Sequence, residues 1–286
     1  MKPPYISEEY IHRFIESALH EDVGDGDHST LASIPAEAVK TAALLVKDKG
    51  IIAGVELART IFLAVDPEMS VDVLIQDGQE VSHGDIVFRV TGSARTILTL
   101  ERLVLNCMQR MSAIASLTRH YVRLIEGTGA QLLDTRKTTP NFRLLEKWAV
   151  VIGGGTNHRL GLFDMIMLKD NHIDMAGGIS AAINRTKDYL RATGKALPIE
   201  VETRNLQEVE QVLQVGGVDI IMLDNMQPTE LKEAVSLIGG RCKTEASGGI
   251  TEESIREVAA SGVDFISVGA LTHAVRSMDL SLKAQS

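Results

Sequence analysis

Aromatic residues make up only 4% of the 286-residue sequence, and its two cysteines, Cys107 and Cys242, form no CxxC pair. So few ring faces do not furnish the stacking platforms of a single-strand nucleic-acid binder. Two distant thiols indicate neither a disulfide framework nor a cysteine metal site, and fit a reducing compartment. An excess of positive charge is also missing: 29 Lys and Arg against 38 Asp and Glu leave a net charge of −9. That balance argues against nucleic acid or an anionic membrane as the bulk partner. No uncharged stretch approaches the ~18 residues of a membrane span. The start, MKPPYISEEY, sets prolines and glutamates where a signal peptide needs an apolar run. Neither GxGxxG nor a GxxxxGK loop occurs, and no His-rich ligand set suggests zinc. The expectation is a cytoplasmic protein that catches any anionic ligand locally.

What is present divides into two halves. In the first, residues 8–20 space Ile11, Phe14, Ile15, Ala18 and Leu19 along one helical face. The acidic turn from Asp22 to Asp27 fails as a calcium loop, because Thr30 and Ala36 stand where an EF-hand needs Gly and Glu, and it is read as a structural turn. β-like runs at 41–47 and 71–75 flank an apolar helix near 55–65. GQEVSHGDIVFRVTG (78–92) resembles the hammerhead of biotinyl and lipoyl carriers but has no lysine to bear a prosthetic group, so it reads as scaffold. From Ser93, a candidate N-cap, apolar periodicity predicts one or two long helices ending before Gly127-Thr128-Gly129. Arg102 falls within that stretch, where its plainest reading is a solvated face.

The second half has a regular beat. Short apolar runs close on polar residues at 131–137, 162–171, 197–203, 218–225, 242–249 and 263–270, with helical patterns at 179–192, 205–215, 229–238 and 252–261. Strands alternating with helices, themselves nearly continuously apolar, imply a parallel sheet buried on both faces. A barrel is preferred over a doubly wound sheet because nearly every strand ends in a functional group, and barrels collect such groups at the C-terminal mouth.

Those ends deliver Arg136 and Lys137; Lys169, Asp170 and Asn171; Glu202; Asp224 and Asn225; Ser247, Gly248 and Gly249; Ser267 and Gly269, with His158 and Arg159 arriving on the loop after Gly153. Between Asp134 and His172 six Lys or Arg face four Asp or Glu, a local positive excess in an acidic chain. Arginine forks engage carboxylates through paired hydrogen bonds, so this reads as a site for a ligand with more than one carboxylate. Arg143 and Lys147, on a predicted helix, are taken as surface charge. SGGI and SVGALTH set small residues at the openings of the last two helices, where bare backbone N–H groups bind phosphate. Glu202 and Asp224 suit ribose hydroxyls or a Mg²⁺ bound to pyrophosphate. His12, His20, His83 and His120 read as surface or packing residues.

At these residues the sequence resembles a known family. DTRKTTP (134–140), GGGTNHRLGLFD (153–164), LKDNH (168–172), EVET (200–203), LDN (223–225), SGG (247–249) and VGALTH (268–273) are similar to quinolinate phosphoribosyltransferases, as are ERLVLNCMQRMSAIA (101–115) and EDVGDGDHST (21–30). The resemblance implies an α/β fold: an N-terminal α/β sandwich over 1–108, joined by the tail 273–286, and an incomplete TIM-like barrel of about six or seven strands over 109–272. It implies a pentosyltransferase that joins quinolinate to phosphoribosyl pyrophosphate (PRPP) with decarboxylation, and a homodimer. Carried over by motif, quinolinate is held by Arg136, His158, Arg159 and Lys169, with Arg102 from the other subunit. PRPP is held by Lys137, Glu202, Asp224, Ser247, Gly248, Gly249, Val268, Gly269 and Ala270, with Thr135 on the floor. Lys137, Lys169, Glu202 and Asp224 carry the catalysis, and Glu202 and Asp224 hold Mg²⁺, largely through PRPP. The rivals are a Schiff-base aldolase using Lys169 on a sugar phosphate, a non-enzymatic carrier-like module built on 78–92, and nearer relatives such as nicotinate phosphoribosyltransferase or a homologue from molybdate-transport operons.

Overall fold

The computed structural model describes residues 2–285. In chain order the elements are α1 (Glu8–Val23), α2 (His28–Ser33), β1 (Val39–Val46), β2 (Gly50–Ile51), α3 (Val55–Val65), β3 (Ser70–Val73), β4 (Glu80–Val81), β5 (Ile86–Ser93), α4 (Ala94–Leu124), β6 (Gln131–Leu133), α5 (Arg143–Gly153), β7 (Ile166–Leu168), α6 (Asp170–Ala176), α7 (Ile179–Thr193), β8 (Ile199–Thr203), α8 (Leu206–Val215), β9 (Ile220–Asp224), α9 (Pro228–Ile238), β10 (Lys243–Ser247), α10 (Ile255–Ala259), β11 (Phe265–Ser267), α11 (Ala270–His273) and β12 (Leu280–Ala284). They form two compact units, neither of them one continuous stretch. The first takes in the chain up to Arg119, Thr138–Gly154, and everything from Leu271 onward; the second is His120–Lys137 with Gly155–Ala270.

In the first unit, α1 starts where the Ser7 hydroxyl accepts the Tyr10 N–H at 3.1 Å, with Glu8 and Glu9 in its first turn. Ile11 and Ile15, one turn apart, are its buried positions. The acidic turn that follows is structural: Asp27 Oδ1 caps α2 by accepting the Thr30 N–H at 3.1 Å. Four strands pair antiparallel in the order β12-β1-β5-β3, so the last strand of the chain covers an edge that β1 would otherwise expose. Phe62 of α3 meets Phe88 of β5 edge-on at 6.1 Å, the contact through which this helix packs on the sheet. The 78–92 stretch lies within this scaffold, with Val87, Phe88 and Val90 fully buried.

One helix, not two, follows Ser93, whose hydroxyl accepts the Thr96 N–H at 3.3 Å. Leu100, Val104, Met108, Met111 and Ala115 recur at helical spacing along the buried face of α4. Lys147 corrects the sequence reading: it is fully buried rather than surface charge, because α5 is enclosed along nearly its whole length. Its neighbour Glu146 is buried too. That carboxylate accepts Arg110 Nε at 3.0 Å, the Thr139 N–H at 3.1 Å and the Thr139 hydroxyl at 2.9 Å.

The second unit is one parallel sheet of six strands in the order β6-β11-β10-β9-β8-β7. Each strand from β7 to β11 lies beside its predecessor or successor in sequence, and β11 returns to pair with β6. A doubly wound sheet reverses its order at a switch point. This order runs one way round, as a barrel requires, and stays open because no ladder joins β6 to β7. Helix α10 has five residues where the periodicity at 252–261 predicted ten, and Gly249 is separated from it by a turn. SGG therefore does not open directly onto a helix. Among the described residues no helix is long and apolar enough to cross a membrane.

Candidate active site

Strand alternation decides what the barrel mouth contains. Glu200 and Glu202 lie two apart on β8 and so share a face, and Glu202 is in register with Met222, which lies two residues before Asp224 on β9. Asp224 is in turn opposite Ser247, the last residue of β10. Glu202, Asp224 and Ser247 are thus brought together at the C-terminal ends of three adjacent strands. Lys169, the N-cap of α6, reaches Glu202 with Nζ 3.6 Å from Oε2. Burial raises the Glu202 carboxyl above its ordinary range; Asp224 and Asp170 push it further up, and Lys169 opposes them.

The remaining candidates are cationic. Arg159 is buried, its guanidinium donates to the Met165 carbonyl at 3.3 Å, and Asp164 shapes the next turn by accepting the N–H groups of Leu160 and Gly161. Burial lowers the Arg159 pKa first and the charge of Arg136 lowers it further, against Glu200 and Asp164, so the two guanidiniums lie within electrostatic reach of each other. Lys137 is exposed, its N–H donating to the Thr135 hydroxyl at 3.1 Å.

Below the mouth His158, which the motifs assign to quinolinate, meets two buried glutamates to which they give no role. His158 Nε2 is 3.0 Å from Glu200 and 3.3 Å from Glu245, both fully buried. Its main-chain N–H donates to Asp134 Oδ1 at 2.9 Å, while Asn157 donates to Oδ2 at 2.7 Å. Nδ1 accepts the Arg159 N–H at 2.7 Å, so the ring proton sits on Nε2, between the carboxylates. Burial works against charge on His158, whereas its contacts with Glu200 and Glu245 and their charges favour a proton in this cluster. Burial, with Glu245 adding and His158 opposing, raises Glu200 to about 7. With Nδ1 closed by the Arg159 N–H, any further proton held here belongs to the carboxylate side.

Residues 27–112 match the quinolinate phosphoribosyl transferase N-terminal domain model, and residues 114–283 match the C-terminal domain model. The chain belongs to the quinolinate phosphoribosyltransferase family. It is 45% identical over 298 residues to a tobacco protein named quinolinate phosphoribosyltransferase (decarboxylating) 1b, covering 99% of this chain and 85% of that one. A chloroplastic nicotinate-nucleotide pyrophosphorylase (carboxylating) of Arabidopsis thaliana is 46% identical, with the same coverages. The crystal structure of NadC from Streptococcus pyogenes superposes with a TM-score of 0.91 at 38% identity, covering 98% of this chain and 99% of that one.

Within this member of the quinolinate phosphoribosyltransferase family, all the candidate residues except Arg102 belong to the second unit. Arg102 is exposed on α4 in the first, on the wall of a cleft of about 780 Å³ shared with Arg13, Asn106 and Arg110. The Val268 N–H is committed to the β6–β11 ladder through the Leu133 carbonyl at 3.0 Å. Asn225 appears among the strand ends but receives no role from sequence. It is one of two non-glycine residues at positive φ (57°) among those described, and its amide donates to Asp224 Oδ2 at 2.7 Å. A Cβ on Gly248, itself at φ +90°, would stand 2.3 Å from Asn225 Oδ1, so the SGG loop requires glycine there. Glu200 and Glu245 had a signal in sequence: a glutamate in the middle of a strand buried on both faces needs a partner.

Proposed function

We propose that this protein transfers phosphoribosyl from PRPP to quinolinate and decarboxylates the adduct, giving nicotinate mononucleotide, pyrophosphate and CO₂. The observation that carries this is two sets of charge near the strand ends of one sheet: Arg136 and Arg159, within electrostatic reach of each other, and Glu202 and Asp224, with Lys169 in contact with Glu202. A ligand with two adjacent carboxylates matches the first side, and a sugar that develops positive charge matches the second.

In this reading Arg136, Arg159 and Lys169, with His158 beneath them, hold the two carboxylates and direct the pyridine nitrogen at ribose C1. The nitrogen lone pair forms the new bond while the C1–O bond breaks and its electron pair leaves with pyrophosphate. Glu202 and Asp224 stabilise the cation-like sugar by charge. The ring becomes a pyridinium. Its C2–carboxylate bond then breaks, CO₂ leaves, and the electron pair on C2 is stabilised by the adjacent cationic nitrogen until a proton fills it. Thr135, Lys137, the Ser247-Gly248-Gly249 loop and the Val268-Gly269-Ala270 loop surround the phosphoribosyl group. Asp224 and Glu202 also fit Mg²⁺: they are hard oxygen donors, and a divalent cation would offset the burial and the repulsion from Asp224 that raise Glu202. When bound, such an ion neutralises charge on the pyrophosphate leaving group.

We further propose a homodimer in which Arg102 enters the neighbour's mouth. The support is its exposed place in the first unit, apart from the other candidates along the chain. A cytoplasmic location is supported by Cys107 and Cys242, both free thiols.

The test is a mixture of quinolinate, PRPP and Mg²⁺ in which nicotinate mononucleotide and CO₂ are measured. Absence of both products overturns the proposal. Nicotinate, lacking the 2-carboxylate, leaves recessed cations unmatched, and its kcat/KM is expected to fall about a thousandfold or more below that of quinolinate. Borohydride treatment with substrate is expected to leave Lys169 unmodified; a trapped adduct there would favour the aldolase reading.

A further inference from the structure

In a packed barrel the interior beneath the mouth is filled by layers of side chains drawn from alternate strands, usually aliphatic. Here β8 and β10 contribute Glu200 and Glu245, both fully buried, and Asp134, just beyond β6, is fully buried as well. Burying three acids in one barrel is unfavourable unless each is matched. What matches them is a single segment, residues 157–159. Asp134 holds its main chain and Asn157, and the two glutamates hold the imidazole of His158 by one nitrogen. The other nitrogen receives the N–H of Arg159, which ties the ring to the backbone from which that arginine projects. Nδ1 is thus engaged by the main chain, and Nε2 faces the two carboxylates.

We propose that Glu200 and Glu245 are positioning residues for the anion site: they lock His158 in its Nε2–H tautomer, and through it they aim Arg159. This rests on the reading of Arg159 as a quinolinate-binding group. A metal is the competing account, since the three donor atoms lie within 4.8 Å of one another. The separations of 3.0 and 3.3 Å from Nε2 to the carboxylates lie within hydrogen-bonding distance, so a shared proton can account for the cluster, and a metal titration decides between the two.

The first readout needs no substrate. In full-length protein labelled with ¹⁵N-histidine, the His158 signals, identified by their loss in His158→Gln, are expected to show a protonated Nε2 and an unprotonated Nδ1 near neutral pH. An Nδ1–H ring, or one protonated on both nitrogens, overturns the proposal, as does metal bound at one ion per chain. The second readout is kinetic. Glu200→Gln and Glu245→Gln keep the side-chain shape and an acceptor but remove the charge. Each is expected to raise KM for quinolinate about tenfold or more, the scale of one charge-assisted hydrogen bond, with KM for PRPP within about twofold. The ¹⁵N signals are expected to show a tautomer mixture in both variants. Equal rises in both KM values, or an unchanged KM for quinolinate, overturn the positioning role. If the wild type does not turn quinolinate over, the functional reading fails, and the wild-type tautomer alone decides whether His158 is locked.

Discussion

Arg159 is proposed to hold quinolinate and Asp224 to serve PRPP, so their removal is expected to separate by substrate. Arg159→Ala raises KM for quinolinate far more than for PRPP, and Asp224→Ala acts mainly through PRPP and Mg²⁺, as two-substrate steady-state kinetics would show. Equal effects from either change would mean that the mouth is not divided in this way. Lys169 is different because it touches Glu202. It is the group that opposes the upward push of burial, Asp224 and Asp170 on that carboxyl. Lys169→Ala therefore raises the Glu202 pKa further. If the reaction uses anionic Glu202, the acidic limb of the kcat/KM profile moves to higher pH in the variant, and an unmoved limb would exclude Glu202 as the group titrating there.

At the scale of elements, the turn after β9 holds together the strand ends proposed to bind PRPP. Asn225 at φ 57° donates to Asp224 and fills the space beside Gly248, linking the ends of β9 and β10. Asn225→Gly removes both contacts while easing the positive-φ backbone, so the melting temperature is expected to hold or rise and KM for PRPP to rise about fivefold or more. Asn225→Asp keeps the size and the tolerance of positive φ but sets a second carboxylate against Asp224, and its KM for PRPP is expected to rise at least as much. A fall in melting temperature in Asn225→Gly with KM unchanged would make the residue structural only. Elements of strong period were legible beforehand: the helix near 55–65 is α3 at Val55–Val65, and that at 229–238 is α9 at Pro228–Ile238. Helix α10 was overestimated because 252–261 reads as helical locally while the turn after Gly249 takes its first residues. The burial of Lys147 was not legible, since a lysine on a helix is read as solvated unless the packing around that helix is known.

For the whole molecule, the expectation concerns sharing between subunits. Arg102→Ala and Lys169→Ala are each inactive as homodimers if Arg102 serves the neighbour's site. A mixed dimer then has one site with both defects and one with none. Random mixing makes half the dimers mixed, so co-refolding the two variants is expected to restore about a quarter of wild-type activity under closed two-fold symmetry. Mixed dimers without recovered activity would place Arg102 in its own subunit's site or outside any site.

The sequence by itself determined the periods, and the periods determine the elements. Alternating strand and helix with apolar strands dictate a parallel sheet, and the polar residue at each strand end dictates a mouth, because both follow from local geometry and burial. It also held the family motifs, which name the residues one by one. Only the tertiary structure decided depth. Glu200 and Glu202 are two residues apart on one face of one strand, yet Glu200 is buried against His158 and Glu202 meets Lys169 in the mouth. Alternation settles the face a side chain shares, whereas its distance from water depends on strands that are remote in sequence. Likewise the strand order, circular rather than reversed, and the approach of Asn225 to Gly248 arise from pairings between segments about twenty residues apart or more. Local propensity carries no record of such pairings.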